Sequence, residues 1–342
     1  MLEPDARRAL IADWLTGALR LTLKGLEPAS SDASFRRYFR AFTARGTYIV
    51  MDAPPGKEDV RPYLEVSALL EPLGVHVPHV HERDEARGLL LLEDLGSVQY
   101  LARLEAGDDP GPLYADALAS LARMQLNGAQ AAAHLAPYGR GELARELNLM
   151  PEWFLERHLG VRVPAGLLGR TFEFLMRAAL EQPQVFVHRD YHARNLMLLP
   201  ERSPGVIDFQ DALCGPVGYD LVSLLKDCYI AWPRARVTGW LEAYRAHLKA
   251  RGGPAGRDAA EFLRWFDLAG VQRHVKVLGI FCRLWYRDGK RGYLADLPRT
   301  LDYVREACTL YAELAGFGEF LEREVVPRLP AANARALAGA HA

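Results

Sequence analysis

The feature that most constrains the fold is a pair of polar segments, each next to a short apolar run. The first, His188–Asn195, has the spacing His-x-Asp-x-x-x-x-Asn, and the second is Asp208–Asp211. Short apolar runs between longer helical patterns are typical of strands. The two runs are Val185–His188 and Gly205–Phe209. This order predicts a hairpin-like unit with Asp190 and Asp208 at the same end, facing one cleft.

The residue types in these segments predict phosphoryl-transfer chemistry, because the segments resemble the catalytic loop and the metal-binding Asp-Phe-Gly segment of kinases. Phosphoryl transfer needs a base for the acceptor hydroxyl and metal ligands that neutralise phosphate charge. In this interpretation Asp190 is the base, and Asn195 and Asp208 bind Mg²⁺, which prefers oxygen ligands. The alternative is that they are loop caps and turn formers, since Asp and Asn commonly bond local backbone.

Length, charge and cysteine content narrow the class of protein. At 342 residues the chain is longer than one core usually serves, so we expect two lobes. A net charge of -1 provides no global field for nucleic acid or an anionic membrane. No run approaches the roughly 18 apolar residues of a membrane span. The four cysteines are widely spaced in apolar surroundings, as reduced thiols are. We therefore expect a cytoplasmic protein without nucleic-acid, membrane or evident protein partners.

Hydrophobic periodicity predicts a sheet-rich first part and a helical second part. The predicted elements of the first part are a helix over Pro4–Leu19, strands over Phe35–Phe42 and Thr47–Met51, a helix over Val60–Leu73, and strands over Val77–Glu82 and Gly88–Glu93. The later helices are Tyr114–Leu126, Thr171–Leu180, Val237–Ala250, Ala259–Leu284 and Leu297–Leu314. The Ala-rich end from Ala331 predicts a frayed terminus. The fold class is therefore α+β, with a small antiparallel sheet and one inserted helix in residues 1–94 and a mainly helical lobe in residues 95–342.

Two further segments extend the likeness to a family. With Leu92–Gly96 upstream and Gly215–Leu221 downstream, nearly the whole chain resembles the aminoglycoside phosphotransferase family. The resemblance implies a bilobal, protein-kinase-like fold. It also implies that the first lobe binds ATP, with the adenine held by the backbone of Glu93 and Leu95, and that the second carries the catalytic loop, metal site and acceptor pocket. Only eight residues separate Asp211 from Asp220, too few for the activation loop of a protein kinase, so a small-molecule acceptor is favoured.

Three segments resemble one branch of that family more closely, the bacterial anomeric sugar kinases of cell-wall recycling. The segments are Ser31–Arg40, Met51–Pro55 and Gln272–Phe281. This resemblance implies ATP-dependent phosphorylation of N-acetylmuramate, N-acetylglucosamine or both at C1, in peptidoglycan recycling. Two alternatives stay open: a kinase of the same fold for an aminoglycoside, a choline-like amine or another small alcohol, and a non-catalytic nucleotide-binding module.

The phosphate-binding segments depart from the kinase pattern. The loop Ala29–Ser34 contains no glycine, so the hydroxyl and amide groups of Ser31 and Ser34 are predicted to hold phosphate. The strand Tyr48–Asp52 contains no lysine or arginine where kinases carry a phosphate-pairing lysine. Strand alternation puts Arg36 and Arg40 on one face and Arg37 on the other. We expect Arg36 or Arg40 to supply the missing cation, because a guanidinium can bridge phosphate oxygens; the alternative is that both are solvated surface charges.

The acceptor is expected to be neutral or anionic. Residues 268–294 hold six basic side chains, including Arg273 and Lys276, against one acid. Such a segment would repel a polycationic aminoglycoside and attract a carboxylate. The alternative is a solvent-exposed stripe on a helix. His192, within the catalytic loop, is predicted to orient Asp190 or contact the acceptor. His274 and Asp220 are predicted to be structural, with Asp220 capping the next helix and tying down the loop.

Overall fold

The computed structural model describes residues 4–31, 35–290 and 292–339, which belong to two compact units. The first unit contains Met1–Ser120 and Arg194–Asp211, and the second contains Leu121–Ala193 and Ala212–Ala342. The sequence predicted a boundary between residues 94 and 95, with nucleotide binding before it and the catalytic loop, metal site and acceptor pocket after it. This assignment of roles stays a prediction.

The chain up to residue 93 forms two helices and a five-stranded sheet. In chain order the elements are α1 (Pro4–Asp13), β1 (Leu23–Ser31), β2 (Arg37–Thr43), β3 (Gly46–Asp52), α2 (Arg61–Leu70), β4 (Val80–Asp84) and β5 (Leu89–Glu93). A π-helical turn, Trp14–Ala18, continues α1, and a 3-10 turn, Glu71–Leu73, continues α2. The strand order is β1-β2-β3-β5-β4, with antiparallel neighbours throughout.

The rest of the chain is mainly helical. Its elements are α3 (Tyr100–Glu105), α4 (Pro110–Asn127), α5 (Ala129–Ala132), α6 (Arg140–Leu147), α7 (Leu167–Leu180), β6 (Gln184–Val187), β7 (Leu196–Met197), β8 (Gly205–Val206), β9 (Leu213–Pro216), α8 (Tyr219–Leu225), α9 (Arg234–Ala250), α10 (Ala259–Tyr286), α11 (Leu297–Leu310), α12 (Ala315–Phe320) and α13 (Leu329–Gly339). Two π-helical segments are Met150–Leu159 and Leu321–Val325, and two 3-10 turns are Tyr293–Asp296 and Ala312–Leu314. The predicted α+β class is confirmed.

One face of the five-stranded sheet packs on α1. Its buried side chains and those of the helix are Ile11, Trp14, Leu15, Phe39, Ala41, Val50, Leu89 and Leu91. Arg37 and Asp52 lie opposite each other in β2 and β3 and share this face. Asp52 is fully buried and accepts hydrogen bonds from Arg7 of α1 (2.9 Å) and from Arg37 (3.0 Å). The ion pair with Arg7 fastens α1 to the sheet, and the ion pair with Arg37 joins β2 to β3.

Helix α10 runs through the interior of the second unit. Asp258 caps its start by accepting a hydrogen bond from the backbone N–H of Glu261 (2.8 Å). All residues from 266 to 279 are buried, and the helix packs against α7, α8, α11 and the segment Met150–Leu159. Gly279 permits close approach, because a Cβ there would lie 2.3 Å from the carbonyl carbon of Leu149. A helix buried on all sides carries its charged residues into the interior, where each needs a partner.

The predicted elements up to residue 93 are confirmed, but β1 was missed. The sequence of β1 contains Gly25 and Pro28, which interrupt strand alternation and are rare inside strands. The register of β1 against β2 shifts between Leu23 and Gly25 and again between Pro28 and Ser30. These irregularities lie beside Gly25 and Pro28 and skip Lys24 and Ala29, so the strand lacks a regular alternation.

Two other expectations were wrong. Strand β6 pairs with β9 and strand β8 pairs with β7, so the two strand-like runs do not form one hairpin-like unit. The end of the chain is not a frayed terminus as far as the structure describes it, because α13 runs to Gly339 and buries Leu329 and Ala332. Oδ1 of Asn333 in α13 also accepts a hydrogen bond from Nε2 of His158 (2.8 Å), so apolar and polar contacts both hold this helix.

Two further properties of the described residues are the hydropathy of their helices and the state of their cysteines. None of their helices combines the length and the apolar character that crossing a bilayer requires. Cys228, Cys282 and Cys308 are buried and Cys214 is partly buried, and all four carry free thiols. The expectation of reduced cysteines is confirmed.

Candidate active site

The catalytic loop of the second unit is anchored by Asp220. This buried carboxylate accepts hydrogen bonds from the backbone N–H groups of His188 (2.7 Å) and Arg189 (3.0 Å). Arg189 has a positive φ of 78°, which only a well-held backbone adopts. The predicted anchoring role of Asp220 is confirmed. Its predicted capping role was wrong: Gly218 occupies the N-cap of α8, and Asp220 lies in the first turn.

Asp190 follows this anchored backbone and lies beside two cations of α10. One carboxylate oxygen is 3.8 Å from Nη2 of Arg273, and 44% of the Asp190 side chain is exposed. Partial burial favours the neutral acid, but the charges of Lys276, His192 and Arg273 outweigh it and lower the pKa of Asp190 to about 2. Asp190 is therefore ionised, as a group that accepts a proton must be, over the whole neutral range.

The charge of Asp220 depends on the same cation. Burial raises the pKa of Asp220 to about 7, whereas the two backbone donors and Arg273 favour its ionised form. Since both of its oxygens accept backbone hydrogen bonds, protonation would remove one of the anchors of the loop. Arg273 thus lowers the pKa values of Asp190, the predicted base, and of Asp220.

Arg273 and Lys276 are buried in a network of polar side chains. Arg273 donates to the hydroxyl of Ser223 (2.7 Å), and Lys276 donates to the hydroxyl of Tyr219 (3.0 Å). Lys276 also pairs with Glu146 at 2.9 Å. The solvent-exposed stripe considered for these residues is wrong, because their exposed fractions are only 5% and 7%. Direct contact of the two cations with an acceptor stays a prediction.

Glu146 of α6 is the anionic centre of this network. It pairs with Lys276 and Arg189, binds the hydroxyl of Tyr138, and accepts a hydrogen bond from Gln272 (3.3 Å). Burial favours the neutral acid, but Lys276 and Arg189 reverse this preference and lower the pKa of Glu146 to about 2. The sequence reasoning missed Glu146. A glutamate in the amphipathic pattern of residues 140–147 has no local signal, since its partners lie far along the chain.

His192 lies in an aromatic row beside the catalytic loop. Its ring meets that of Tyr229 edge-on at 5.4 Å, and Tyr229 is 6.2 Å from Phe281. Asp227 ties the row to the loop by accepting hydrogen bonds from the backbone of Ala193 (3.0 Å) and of Tyr229 (2.9 Å). Asp227 and Tyr229 were also missed, although a charged residue after the apolar run of α8 is a signal that could have identified Asp227.

His274 has the structural role that was predicted for it. The buried ring stacks on Tyr303 at 4.7 Å, and Nε2 lies 2.9 Å from the carbonyl oxygen of Lys226. Burial and the nearby Arg273 lower the pKa of His274 to about 3, so the ring is neutral at ordinary pH.

The first unit holds the predicted metal ligands next to each other. Nδ2 of Asn195 is 3.4 Å from Oδ2 of Asp208, and the two backbones meet where Ile207 donates to the Asn195 carbonyl (3.1 Å). Asp208 has a φ of 65°, and Gln210 donates to its Oδ1 (2.7 Å). An amide and a carboxylate side by side fit Mg²⁺, which takes one or two protein oxygens and completes its shell with water and phosphate.

The segment predicted to hold adenine, residues 93–96, is held in place by hydrogen bonds and ion pairs with other parts of the first unit. The carboxylate of Glu93 lies 3.2 Å from Nε2 of His76, and the backbone N–H of Glu93 donates to the carbonyl of His79 (2.8 Å). Leu95 is buried. Arg40 donates to both oxygens of Asp94 (2.8 and 3.1 Å) and to the carbonyl of Gly96 (2.8 Å). Arg40 therefore braces the segment 93–96.

The predicted phosphate-binding residues are only partly described. Ser34 lies outside the described residues, and Ser31 is the last residue of β1, paired through its backbone with Arg37. Arg36 lies five residues after Ser31, with its Nε 3.7 Å from Glu58 and 13% of its side chain exposed. The roles of these residues in nucleotide binding stay predictions.

Comparison with known proteins identifies the family. Residues 25–263 match the phosphotransferase enzyme family. The chain is a member of that family. This phosphotransferase is 48% identical over 333 residues to the N-acetylmuramate/N-acetylglucosamine kinase of Pseudomonas aeruginosa, covering 94% of its own length and 97% of the relative. It is 42% identical to the kinase of the same name from Neisseria meningitidis, covering 90% and 93%. The predicted recognition and the predicted kinase activity are confirmed.

Solved structures of the phosphotransferase fold agree with this result. The choline kinase LicA from Streptococcus pneumoniae aligns with a TM-score of 0.62 and 14% identity, over 87% of this chain and 99% of that one. The ADP-bound aminoglycoside phosphotransferase APH(2'')-Ib aligns with a TM-score of 0.58 and 14% identity, over 87% and 98%. At this identity the likeness concerns the fold alone, which is the predicted protein-kinase-like fold.

Proposed function

We propose that this phosphotransferase transfers the terminal phosphoryl group of ATP to the anomeric hydroxyl of an N-acetylated amino sugar, N-acetylmuramate, N-acetylglucosamine or both, as a step of peptidoglycan recycling. The observation that carries the proposal is the near-complete match, at 42% and 48% identity, to kinases named for these two sugars. The ionised Asp190 in its anchored loop supports the same reaction, because transfer to a hydroxyl needs a group that accepts its proton.

Asp190 has the role of base in this proposal. The anomeric hydroxyl is more acidic than other sugar hydroxyls, and the transition state of phosphoryl transfer is loose, so a weakly basic carboxylate suffices. Asp220 holds the backbone at His188 and Arg189, and the charges of Lys276, His192 and Arg273 lower the pKa of Asp190. The task of the loop is therefore to present an ionised oxygen in a fixed position.

Nucleotide binding is assigned to the first unit. Asn195 and Asp208 would hold Mg²⁺, which supplies positive charge against the phosphates. The backbone of Glu93 and Leu95 would bind adenine, and Arg40 stabilises that segment through Asp94. The residues proposed to bind the phosphates are Ser31, Ser34 and Arg36. We also propose a cytoplasmic location, because the reaction consumes ATP.

The acceptor site is assigned to the second unit, around His192, Arg273 and Lys276. The partly exposed rings of His192 and Tyr229, which pack against the buried Phe281, are the aromatic groups proposed to contact the sugar ring. The cations of α10 would oppose a polycationic aminoglycoside and favour a neutral or anionic sugar.

The test is phosphorus NMR of the purified protein with Mg²⁺ and ATP in four separate tubes. These contain N-acetylmuramate, N-acetylglucosamine, kanamycin and choline, and the spectrum reports which oxygen receives phosphate. We expect an anomeric phosphate on one or both of the N-acetyl sugars. Phosphate on kanamycin or choline alone would retain the kinase and reject the sugar. No transfer in any tube would reject the proposed acceptors.

A further inference from the structure

The phosphates of ATP carry negative charge that kinases usually match with a strand lysine paired to a helix glutamate. In this chain the equivalent strand is β3, and Tyr48–Asp52 contains no basic residue. Asp52 and Met51 are both fully buried. Asp52 itself is neutralised by Arg7 and Arg37 on the face that packs on α1. A cation for phosphate must therefore come from another element.

Arg40 is already engaged elsewhere. Its Nε and Nη2 atoms form three hydrogen bonds, two to the carboxylate of Asp94 and one to the carbonyl of Gly96. Releasing Arg40 to a phosphate would leave the mostly buried carboxylate of Asp94, whose side chain is 7% exposed, without this partner. Of the two arginines that the sequence suggested, Arg40 is the one that the structure uses as a brace.

Arg36 has a different environment. Its guanidinium lies 3.7 Å from the carboxylate of Glu58, which also accepts a hydrogen bond from the backbone N–H of Phe35 (3.0 Å). Glu58 thus holds both the cation and the backbone at the end of the segment between β1 and β2. It precedes α2 and so differs in position from a glutamate inside the helix.

The contact between α2 and the residue after Asp208 relates this ion pair to the proposed metal ligands of the same unit. The ring of Tyr63 in α2 lies 4.7 Å from that of Phe209, the residue after Asp208. Glu58 stands five residues before Tyr63, so the partner of Arg36 and the partner of Phe209 belong to the same short stretch of chain. Burial raises the pKa of Tyr63, and the positive charge of Arg36 opposes this rise.

We infer that Arg36, held by Glu58, binds the phosphate oxygens of the nucleotide and replaces the strand lysine of other kinases. A guanidinium suits this role because it is always charged and can bind two phosphate oxygens at once. The inference rests on the proposed function for its ligand, a nucleoside triphosphate. It assigns a binding role to Arg36 and a positioning role to Glu58.

The test is calorimetry of Mg²⁺-ATP and of adenosine with the full-length chain and four variants, R36M, R36K, E58Q and R45M. Arg45 is the matched control, because it is an exposed arginine in the turn of the same hairpin. We expect R36M to weaken Mg²⁺-ATP binding at least tenfold and to leave adenosine binding unchanged. R36K should lose less, E58Q less again, and R45M nothing.

The outcomes separate the inference from the proposed function. Wild-type protein that does not bind Mg²⁺-ATP would reject the nucleotide donor and with it the proposed function. If wild type and R36M bind Mg²⁺-ATP equally well, the inference about Arg36 is overturned and the proposed function is not affected. If R36M does not fold, as thermal unfolding would show, R36K and E58Q decide: a loss of ATP over adenosine selectivity in both supports the inference, and unchanged selectivity overturns it.

Discussion

The two units hold their functional groups in different ways. In the second unit Asp190 follows backbone that is tied by two short hydrogen bonds to Asp220, and its neighbouring cations are buried and paired. In the first unit the carboxylate of Asp208 accepts a hydrogen bond from Gln210 (2.7 Å) and lies 3.4 Å from Nδ2 of Asn195, and the guanidinium of Arg36 pairs with Glu58 at 3.7 Å. The proposed base is thus positioned through the backbone that precedes it, whereas the proposed metal and phosphate ligands are positioned through their own side chains.

The largest effect expected from this contrast is that of Asp190→Asn. The amide cannot accept the proton, so turnover should fall by about 10³-fold, within the range of a lost general base. Mg²⁺-ATP affinity should stay within twofold, because the proposed nucleotide groups belong to the first unit. Steady-state kinetics and calorimetry on the same preparation measure the two quantities, and undiminished turnover would remove Asp190 from the mechanism.

The buried network predicts a stability effect for Glu146→Gln. Loss of this anion leaves Lys276 and Arg189 buried without their common partner, which should cost about 3 kcal/mol of unfolding free energy. The folded pKa of Glu146 is about 2, below its usual 4.5, so its contribution is complete above pH 4.5 and is lost as the pH falls towards 2. The variant should therefore show a smaller loss of stability over that interval.

Urea unfolding at pH 7 and at pH 3 measures this difference. The control is Glu173→Gln in α7, because Glu173 is exposed and pairs with the exposed Arg140. Equal stability of the two variants would show that the network around Glu146 does not hold the second unit together.

Asp208→Ala tests the proposed metal ligand of the first unit. Loss of the proposed metal ligand should weaken Mg²⁺-ATP binding by roughly 10-fold to 100-fold, the range seen when metal sites lose supporting groups. Adenosine affinity and thermal stability should change little, since Asn195 and Gln210, which hydrogen-bond to Asp208, are neutral and lie outside the buried ion network of Glu146. Unchanged calorimetric affinity for Mg²⁺-ATP would exclude Asp208 as a ligand.

Arg273→Met tests the electrostatics around the base. Arg273 lowers the pKa values of both Asp190 and Asp220, so its loss should raise both and move the acid limb of kcat/KM to higher pH by about one unit. Arg283→Met on the same helix is the control, because Arg283 acts on Asp288 and Glu152 instead. A pH profile with the limb unmoved in R273M, or moved equally in both variants, would contradict the assignment.

The sequence predicted those parts of the site that depend on local spacing. Asp190, Asn195 and Asp208 belong to one short sequence pattern. Strand alternation placed Arg37 and Arg40 on opposite faces of β2, and in the structure Arg37 pairs with Asp52 whereas Arg40 pairs with Asp94. The sheet and the principal helices followed from periodicity. Strand β1 did not, because bulges at Gly25 and Pro28 interrupt its alternation.

Long-range partners could not be predicted in the same way. Glu146 meets Gln272, 126 positions away, and the pairing of Lys276 with Glu146 depends on α10 being buried on all sides. A basic stripe on a helix gives the same pattern in sequence whether it faces solvent or an internal anion. Only the tertiary packing distinguishes the two, and it places Arg273 and Lys276 in the interior.

The most direct test of the account is phosphorus NMR of wild type and Asp190→Asn, each with Mg²⁺, ATP and N-acetylmuramate. We predict an anomeric phosphate signal that grows with wild type and stays near background with the variant, while both proteins bind Mg²⁺-ATP. Transfer by the variant at the wild-type rate, or phosphate on a hydroxyl other than the anomeric one, would contradict the account.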